Sequence, residues 1–550
     1  MKKIFSILFA LVLLVSLGLV TTAPVLAGTI RYVPSVYPTI QEAINASVSG
    51  DTIMVAAGEY DAFVVEGKAN ISIIGAEGAT VITAEVFSID VWPIEDAWVM
   101  AAVYDSENIN IEGINFDGTE VSGEEVVVGI AYVDSTGRIA DLTVENIIGT
   151  ELMAGVTIIG DVGTSAVDLS GVTVENSMSG VAIWNAEVNL NGCTVTGTDA
   201  GIVIAWPLAG FAPSAVNICG STIVDNDQAG IWVCDDSIVE AHFNNIVGNT
   251  DYGVRNDGGE TVDAIYNWWG DASGPYHLIA NPGGEGNPVS DNVDFEPWLE
   301  AESITETAED STIDAIDVAD IKVVVTGKVT ITIARYASNP HPEAPVVYGA
   351  LASLDFVALQ ADQEELNIFR DVCVIDYELG TEIELRLFYT EAEAEGFDED
   401  TLRLFWWNGA WEQCSESNVN MTAVTIDGHD YSGYMWAKIR EGGTTPSLSD
   451  LDGTEFGGYG HPSPTDGDCF IGTAAYGTDT AKELDILREF RDGVLLPNSL
   501  GAKLVSFYYK ISPPIANFIS QHEVLRTAVR VGFVDPIVKI LTWTHDLWSS

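Results

Sequence analysis

Six times in the first half of the chain, a glycine comes directly before a short apolar segment. Successive glycines are 26, 25, 21, 29 and 23 residues apart. A repeat of this length is too short to bury a core alone, so neighbouring units must stack. The sequence therefore predicts a solenoid. The six pairs are Gly129-Ile130, Gly155-Val156, Gly180-Val181, Gly201-Ile202, Gly230-Ile231 and Gly253-Val254.

A second short segment recurs between these glycines, and its composition indicates which solenoid to expect. Its copies at 142–144, 172–174, 193–195, 221–223 and 245–247 are rich in Val, Ile and Thr, which favours strands. Gly, Asn and Asp separate the segments, and these residues tolerate the left-handed backbone of tight corners. We therefore predict a right-handed parallel β-helix with about 22 to 25 residues per coil.

This region, from about residue 30 to residue 300, resembles the parallel β-helix repeat family, which includes pectate-lyase-like proteins. Residues 37–45 predict a short helix in which Thr39 is the N-cap and Glu42 completes a capping box. The segment that follows, Gly50 to Tyr60, resembles the usual opening of bacterial secreted β-helices. We expect the helix to cover the open end of the first coil.

The first 27 residues are typical of a signal peptide. Lys2 and Lys3 precede an apolar run over 4–20, and Val25 and Ala27 occupy the small-residue positions before a cleavage point. We expect a secreted or cell-surface protein; an uncleaved N-terminal anchor is the alternative.

The charge of the chain limits its partners. There are 82 acidic and 22 basic residues, a net charge of −60. Nucleic-acid binding needs clustered Lys and Arg, so it is excluded, and binding of the whole chain to an anionic membrane is disfavoured. No cofactor is required, although this charge permits weak binding of Ca²⁺.

Six cysteines contain no C-x-x-C pair, which argues against a structural zinc site. Cys193, Cys219 and Cys234 fall in successive coils, where an inward stack of thiols is expected and a disulfide is the alternative. Cys373 and Cys414 lie in a later segment, and a disulfide between them is left open.

The predicted β-helix spans 28–300 and ends in an aromatic segment. Residues 266–275 and 295–298 resemble the terminal coil of prokaryotic surface β-helices. Trp268 and Trp269 are candidates for stacking on a glycan. The favoured alternative is that they pack with Trp298 over the last coil as its cap.

Two further domains are predicted after the β-helix. Residues 301–312 are interpreted as a linker, and 313–440 contain seven or eight short strands with alternating polarity, which favours an antiparallel β-sandwich. Residues 441–468, rich in Gly and Pro, are interpreted as a second linker. A small α-helical C-terminal domain is expected over 469–550, so the whole chain is mainly β.

The C-terminal segment resembles the prokaryotic region named for its Cys-Phe-Ile box (CFI box). Cys469 is a candidate for covalent processing or anchoring, because a thiol near cations ionises more readily; a buried structural thiol is the alternative. Amphipathic patterns after position 481 favour either peripheral membrane association or a self-contained bundle. The residues that carry the resemblance to the CFI-box region are Cys469-Phe470-Ile471, 473–477, Leu487-Arg488, 490–492, Tyr508-Tyr509 and 512–514.

Two classes of function remain open from the sequence. The favoured one is a non-enzymatic, exported surface protein in carbohydrate binding, adhesion or envelope structure, with polysaccharide or envelope components as partners. The alternative is a polysaccharide lyase or glycoside hydrolase that uses carboxylates of the coils, for which Asp235 and Asp236 are the candidates. Bases are scarce in the β-helix, which argues against the enzyme.

Overall fold

The chain forms two compact units, Met1–Ser303 and Ile304–Ser550. The computed structural model describes only part of each unit. The described residues are 28–87, 97–121, 127–148, 153–160, 165–205, 212–336, 339–341, 346–347, 364–451, 453–461, 470–476, 482–495, 505, 508, 512, 515–516, 519 and 522–545. The predicted signal peptide and Cys469 lie outside them.

Three parallel sheets build the first unit. Eight coils, from Thr52–Val55 to Tyr252–Asn256, each contribute one strand to each sheet, and the eleven-stranded sheet continues beyond them at both ends. This confirms the predicted parallel β-helix. The eleven-stranded sheet contains Ile30–Val33, Thr52–Val55, Ala69–Gly75, Glu107–Glu112, Thr136–Ala140, Ser165–Ser170, Ala186–Asn191, Ala215–Cys219, Ile238–His242, Val262–Asp263 and Val293–Asp294.

The repeats read from the sequence form the other two sheets. The eight-stranded sheet contains Gly58–Tyr60, Ala79–Val81, Asn115–Asp117, Thr143–Ile147, Thr173–Ser177, Thr194–Thr196, Thr222–Val224 and Asn245–Val247. The nine-stranded sheet contains Phe63–Glu66, Ala97–Tyr104, Val127–Val133, Met153–Ile159, Ser179–Trp184, Ala200–Ile204, Ala229–Val233 and Tyr252–Asn256, with Glu85–Phe87 antiparallel at one side.

The residues after the repeated glycines form one column in the core, as the spacing predicts. Each pairs in register with its equivalent on the next coil, and all are at most 1% exposed. The column runs Ile130, Val156, Val181, Ile202, Ile231 and Val254.

The repeated glycines are required for close packing. A Cβ on Gly180 would lie 2.3 Å from Cγ1 of Val195 and 2.6 Å from the carbonyl oxygen of Gly201. Gly155 and Gly201 meet the same kind of obstruction from the next coil. None of these three glycines has a left-handed φ, so lack of space, and not backbone conformation, excludes a side chain here.

Buried asparagines join the coils at one corner. Asn226 Nδ2 donates to Asn249 Oδ1 at 2.8 Å, and Asn249 Nδ2 donates to Asn287 Oδ1 at 3.0 Å. Thr198 Oγ1 begins this series by donating to Asn226 Oδ1 at 2.7 Å. The series, which we call the asparagine ladder, pairs polar groups that burial would otherwise leave unsatisfied.

A short helix, Ile40–Ala46, precedes the second strand of the first unit. Thr39 is its N-cap, and Thr39 Oγ1 accepts from the backbone N of Glu42 at 3.1 Å. The apolar face formed by Ile40, Ala43 and Ile44 joins the core of the β-helix. The predicted helix and its N-cap Thr39 are confirmed. No bond from the backbone N of Thr39 to the side chain of Glu42 is present among the described residues, so the capping box is not completed.

The second unit contains a sandwich of two antiparallel sheets around one apolar core. A parallel pairing of Val346–Val347 with Trp411–Gln413 is the exception to the antiparallel order. The first sheet contains Ile304–Glu309, Lys328–Tyr336, Glu364–Tyr377, Thr454–Gly460, Arg403–Trp407, Trp411–Gln413 and Val346–Val347. The second contains Thr312–Ala315, Ile321–Thr326, Glu382–Tyr389, Gly433–Arg440 and Ser417–Asn420.

Smaller elements complete the sandwich. A hairpin is formed by Val424–Ile426 and His429–Tyr431. A short α-helix spans Ile316–Ala319. Three 3₁₀ turns are described in the chain, at Gly118–Val121 in the first unit and at Glu399–Thr401 and Leu448–Asp450 in the second.

Both predicted linkers contain strands of the sandwich, so their interpretation is wrong. Within 301–312, Ile304–Glu309 pairs with Lys328–Tyr336. Within 441–468, Thr454–Gly460 lies between two strands of the larger sheet and is buried throughout. Gly457 is needed there because a Cβ on it would lie 2.6 Å from a ring carbon of the buried Phe369.

Helices follow the sandwich, as expected from the amphipathic pattern. The α-helices span Phe470–Tyr476, Lys482–Phe490, Glu523–Val529 and Asp535–Thr544. Arg491–Leu495 and Arg530–Val534 are π-helical turns that continue the helices before them. None of the described helices is long and apolar enough to cross a membrane.

The cysteines depart from two expectations. Cys414 is a buried thiol, so the disulfide with Cys373 that the sequence left open does not form. Cys193 lies in the core of the β-helix, Cys219 pairs in register with Asn191 and His242, and Cys234 is only half-buried. Unequal coil lengths therefore place these thiols at three different positions, and they form no column.

Candidate functional site

The outer face of the eight-stranded sheet carries a row of threonines, which we call the threonine column. Thr143, Thr173, Thr194 and Thr222 are neighbours in register on four successive coils. Each is half-buried, whereas the next residue of each strand is buried in the core. Adjacent strands lie about 4.8 Å apart, so the hydroxyl groups repeat at that interval along the β-helix.

These hydroxyl groups are available to a ligand. In the described part of the chain, the Oγ1 atoms of the threonine column have no hydrogen-bond partner. A hydroxyl can both donate and accept a hydrogen bond. The column is therefore a regular series of unoccupied donors and acceptors on a flat surface.

A second row on the same face, which we call the acidic column, begins with three carboxylates. Asp117, Glu145 and Glu175 are neighbours in register, and each lies two residues after a position of the threonine row. Thr196 and Val224 continue the row on the next coils. All five are half-buried. The face thus combines hydroxyl groups with carboxylates over several coils.

Corner asparagines hold the first carboxylate in place. Asn176 Nδ2 donates to Asn146 Oδ1 at 2.6 Å, and Asn146 Nδ2 donates to Asp117 Oδ1 at 3.0 Å. Both asparagines have left-handed backbone, with φ of 59° and 52° at Asn146 and Asn176. Thr119 donates to the same oxygen of Asp117 through its N at 3.0 Å and its Oγ1 at 2.5 Å.

The environments of two adjacent carboxyl groups shift their pKa values in opposite directions. Burial raises the pKa of Asp117, but the hydrogen bonds from Thr119 and Asn146 outweigh it, so the pKa lies below its ordinary value. Burial raises the pKa of Glu145, and the negative charges of Asp117 and Glu175 raise it further. The two neighbouring carboxyl groups therefore differ in acidity, because Asp117 accepts several hydrogen bonds and Glu145 lies between two negative charges.

The sequence contains the signal for this site, although it was missed. The tetrapeptide Thr-Val-Glu-Asn occurs at 143–146 and again at 173–176. Its four residues supply the threonine column, the core, the acidic column and the corner in that order. A search for identical segments at the coil spacing would have found it.

The structure places Asp235 and Asp236 elsewhere, in the corner between strands Ala229–Val233 and Ile238–His242. Asp235 Oδ1 accepts from the N and Oγ of Ser237 at 2.9 and 2.5 Å. Asp236 Oδ1 accepts from the N of Gly259 on the next coil at 2.8 Å. Both carboxylates stabilise turns, and neither belongs to the acidic column.

Arg255 lies on the coil after this corner, where it pairs in register with Trp232 in the nine-stranded sheet. Its guanidinium lies 4.4 Å from the ring centre of Trp232, and its Nη2 lies 2.8 Å from Asp257 Oδ2. Trp232 Nε1 donates to the same oxygen at 2.9 Å. Burial raises the pKa of Asp257, but these two partners lower it below its ordinary value. The guanidinium of Arg255 is therefore already engaged by Asp257 and Trp232.

The two tryptophans proposed to stack on a glycan have different positions. Trp269 is 1% exposed and lies in the core of the β-helix, so its ring is closed to a ligand. Trp268 is half-buried and bridges to Asn245, which follows Thr222 in the threonine row. Ser303 covers Asn245, since its N donates to Asn245 Oδ1 at 2.9 Å.

Trp298 contributes to the end of the β-helix. Its ring packs on Gly274, where a Cβ would lie 2.4 Å from a ring atom, and its Nε1 donates to the carbonyl of Ala272 at 3.1 Å. With Trp269 in the core, this packing agrees with the favoured alternative of an aromatic cap. Trp268 alone of the pair keeps exposed ring surface.

Among the described residues, no group of three or more Asp, Glu, His or Cys side chains is placed to hold a metal ion. The three carboxylates of the acidic column are not such a group. Calcium binding thus stays a prediction from net charge.

Two solved structures show a limited similarity to this chain. The structure is similar to the A-module of the Azotobacter vinelandii mannuronan C-5 epimerase AlgE4, with 14% identity, a TM-score of 0.21, and coverage of 46% of this chain and 79% of that one. It is also similar to the enzymatically active domain of bacteriophage CBA120 tailspike protein 4, with 11% identity, a TM-score of 0.15, and coverage of 75% and 62%.

Both TM-scores are below 0.5, so neither similarity carries an argument about this chain. No curated protein matches the chain. Residues 94–268 match the family described as the right handed beta helix region. Together with the register of the three sheets, this match identifies the repeated part of the first unit as a right-handed parallel β-helix.

Proposed function

We propose that this chain is an exported, non-enzymatic surface protein whose β-helix binds a neutral polysaccharide along the outer face of the eight-stranded sheet. The observation that carries the proposal is the unbroken register of the threonine column beside the acidic column. Its four hydroxyl groups have no partner within the described part of the chain.

An extended sugar chain suits this face for a geometric reason. The face is flat and repeats at the strand spacing of about 4.8 Å, so a linear polymer can make the same contact on each coil. Sugar hydroxyl groups both donate and accept hydrogen bonds, as threonine does. The carboxylates accept from hydroxyl groups in stronger, charge-assisted bonds. Trp268 adds an apolar ring surface near one end.

The charge of the protein selects among polysaccharides. A net charge of −60 and a row of three carboxylates repel a polymer of uronic acids. A neutral or amino-sugar polymer meets no such repulsion. We therefore place the ligand among the uncharged glycans of the cell envelope or its surroundings.

Export follows from the first 27 residues, which combine two lysines, an apolar run and a small-residue cleavage pattern. The sandwich and the helical segment would then be presented outside the cytoplasm together with the β-helix. Outside the cytoplasm, the proposed glycan-binding face can meet the glycans of the cell envelope.

A glycoside hydrolase is the second candidate. Its support is that Asp117 and Glu145 are neighbours in register on adjacent strands and that their pKa values are shifted in opposite directions. This pair replaces Asp235 and Asp236 as the carboxylates to test.

The test uses the chain without residues 1–27 on an array of neutral and acidic polysaccharides, followed by calorimetry on the best ligand. The variant Thr173→Val/Thr194→Val/Thr222→Val removes three hydroxyl groups and keeps the shape of the side chains. Each lost hydrogen bond is worth about 1 kcal/mol, so affinity should fall by about tenfold or more. Asn217→Ala on the exposed face of the eleven-stranded sheet is the control and should bind as the parent does.

Equal affinity of the triple variant and the parent would refute the proposed face. If the parent protein releases reducing ends from the ligand and Glu145→Gln does not, the protein is a hydrolase and the non-enzymatic proposal is wrong.

The raised pKa of Glu145 gives a prediction for stability. Because the folded protein holds the proton of Glu145 more tightly than the unfolded chain, this group contributes stability at low pH that is lost as pH rises through the folded pKa. Glu145→Gln should therefore raise the Tm at pH 7, and the gain should vanish below pH of about 4.

Asp117→Asn is the matched opposite. Because the pKa of Asp117 is lowered in the folded protein, its ionised carboxylate stabilises the fold at neutral pH. This contribution is lost as pH falls through the folded pKa. The variant should lower the Tm at pH 7. Tm values measured across pH would contradict the assignment if both variants changed stability in the same direction.

A further inference from the structure

The last described helix, Asp535–Thr544, and the π-helical turn before it expose a row of apolar side chains. Phe533, Pro536, Ile540 and Trp543 follow one another at spacings of three, four and three residues, which places them on one side of a helix. Phe533 and Ile540 are each 59% exposed, and Trp543 is 88% exposed. We call this row the Trp543 stripe.

The other side of the same segment is attached to neighbouring helices. Val534 is 4% exposed. Tyr476 donates to Asp535 Oδ1 at 2.5 Å, and His545 Nε2 lies 2.9 Å from Glu489 Oε1. These contacts fix the orientation of Asp535–Thr544 and leave the stripe pointing away from its own bundle.

Cationic side chains accompany the stripe. Lys539 is exposed, and Arg526 and Arg530 are half-buried on the preceding turns. Within the described residues, Arg526 and Lys539 form no ion pair. After position 481 the chain has eight basic and seven acidic residues, although the whole protein carries −60. The C-terminal segment is thus nearly neutral, in contrast with the acidic remainder of the chain, and the exposed Lys539 lies next to the stripe in the sequence.

We propose that the Trp543 stripe binds the surface of a lipid bilayer that contains anionic headgroups. A helix with exposed aromatic and aliphatic side chains and adjacent Lys and Arg is suited to lie in the interface plane. Tryptophan prefers the headgroup level of a bilayer. Lys539 and Arg526 would meet the negative surface potential, which attracts basic residues near it.

A second copy of this chain fits the stripe less well. In a twofold dimer that buries Trp543 against its equivalent, the basic residues of the two copies would be brought together. Like charges placed in contact oppose association. A membrane surface instead supplies opposite charge at the same place.

The acidic body of the protein does not prevent this contact. Charges are screened over about 8 Å at physiological ionic strength, so only the groups near the interface decide the electrostatic energy. The inference goes beyond glycan binding, since it concerns a different unit and a different ligand.

The test is sedimentation of the chain without residues 1–27 with phosphatidylcholine vesicles, with and without phosphatidylglycerol. Parent protein should bind more strongly when phosphatidylglycerol is present. Ile540→Ser/Trp543→Ser should lower the partition coefficient by about tenfold or more, since each large apolar side chain contributes about 1.5 to 3 kcal/mol when fully buried. Lys539→Gln should reduce only the preference for the anionic vesicles.

Leu379→Ser is the matched control, because Leu379 is 97% exposed in the sandwich and lies outside the stripe. It should bind vesicles as the parent does. The proposal fails if the parent does not bind anionic vesicles or if the stripe variant binds as well as Leu379→Ser. It also fails if analytical ultracentrifugation shows a dimer that the stripe variant abolishes.

Discussion

Gly180→Val is expected to destabilise the β-helix by about 3 kcal/mol or more. Its Cβ alone would lie 2.3 Å from Val195 Cγ1 and 2.6 Å from the carbonyl oxygen of Gly201. Relief requires movement of the backbone of the next coil, and overpacking in a dense core costs about 1–3 kcal/mol even without a backbone clash. A Cβ on Gly155 or Gly201 would also come too close to the next coil, so a displaced coil cannot be accommodated easily by its neighbours.

Chemical denaturation followed by circular dichroism measures this effect. Gly283→Ala is the control, since a Cβ on Gly283 meets nothing within 4 Å. It should change stability by no more than about 0.5 kcal/mol. Similar midpoints for the two variants would show that the glycines are not in close contact between coils.

Asn249→Leu is expected to cost about 3 kcal/mol. The side chain is 3% exposed and is the middle member of the asparagine ladder. Leucine has a similar size but leaves the N of Asn226 and the carbonyl of Ile223 without their present partners. Each buried polar group left unsatisfied costs about 1–3 kcal/mol.

The matched control for this variant is Asn217→Leu. Asn217 lies on the exposed face of the eleven-stranded sheet, so the same chemical change removes no buried hydrogen bond. Thermal unfolding of both variants should separate them by several degrees. An unaltered midpoint for Asn249→Leu would mean that the ladder contributes nothing to stability.

The β-helix could be predicted because its sequence pattern lies within short segments and recurs on each coil. Gly180 and Gly201 mark equivalent positions in successive coils, and one alternating strand is enough to assign an inward and an outward side. The N-terminal helix could be predicted for the same reason, since Thr39 and Glu42 act within one turn.

The sandwich boundaries could not be read in the same way. Thr454–Gly460 is rich in glycine and has the composition of a linker, yet it is a buried strand. Gly457 is needed because Phe369, far away in the sequence, occupies the space of its side chain. Such a requirement arises only from tertiary packing.

The candidate site was only partly accessible to sequence analysis. The repeated tetrapeptide at 143–146 and 173–176 is visible, but the pKa difference between Asp117 and Glu145 depends on contacts across coils of unequal length. Asp235 and Asp236 attracted attention as an adjacent pair. Their hydrogen bonds to Ser237 and Gly259 show that they stabilise corners.

The central claim is that a polysaccharide lies along the threonine and acidic columns, and hydroxyl-radical footprinting of the protein with and without its ligand tests it most directly. The predicted result is protection of peptides that contain strands Thr143–Ile147, Thr173–Ser177, Thr194–Thr196 and Thr222–Val224, with no change at Ala215–Cys219 on the eleven-stranded sheet. Protection at the eleven-stranded sheet, with the four strands unchanged, would contradict the account.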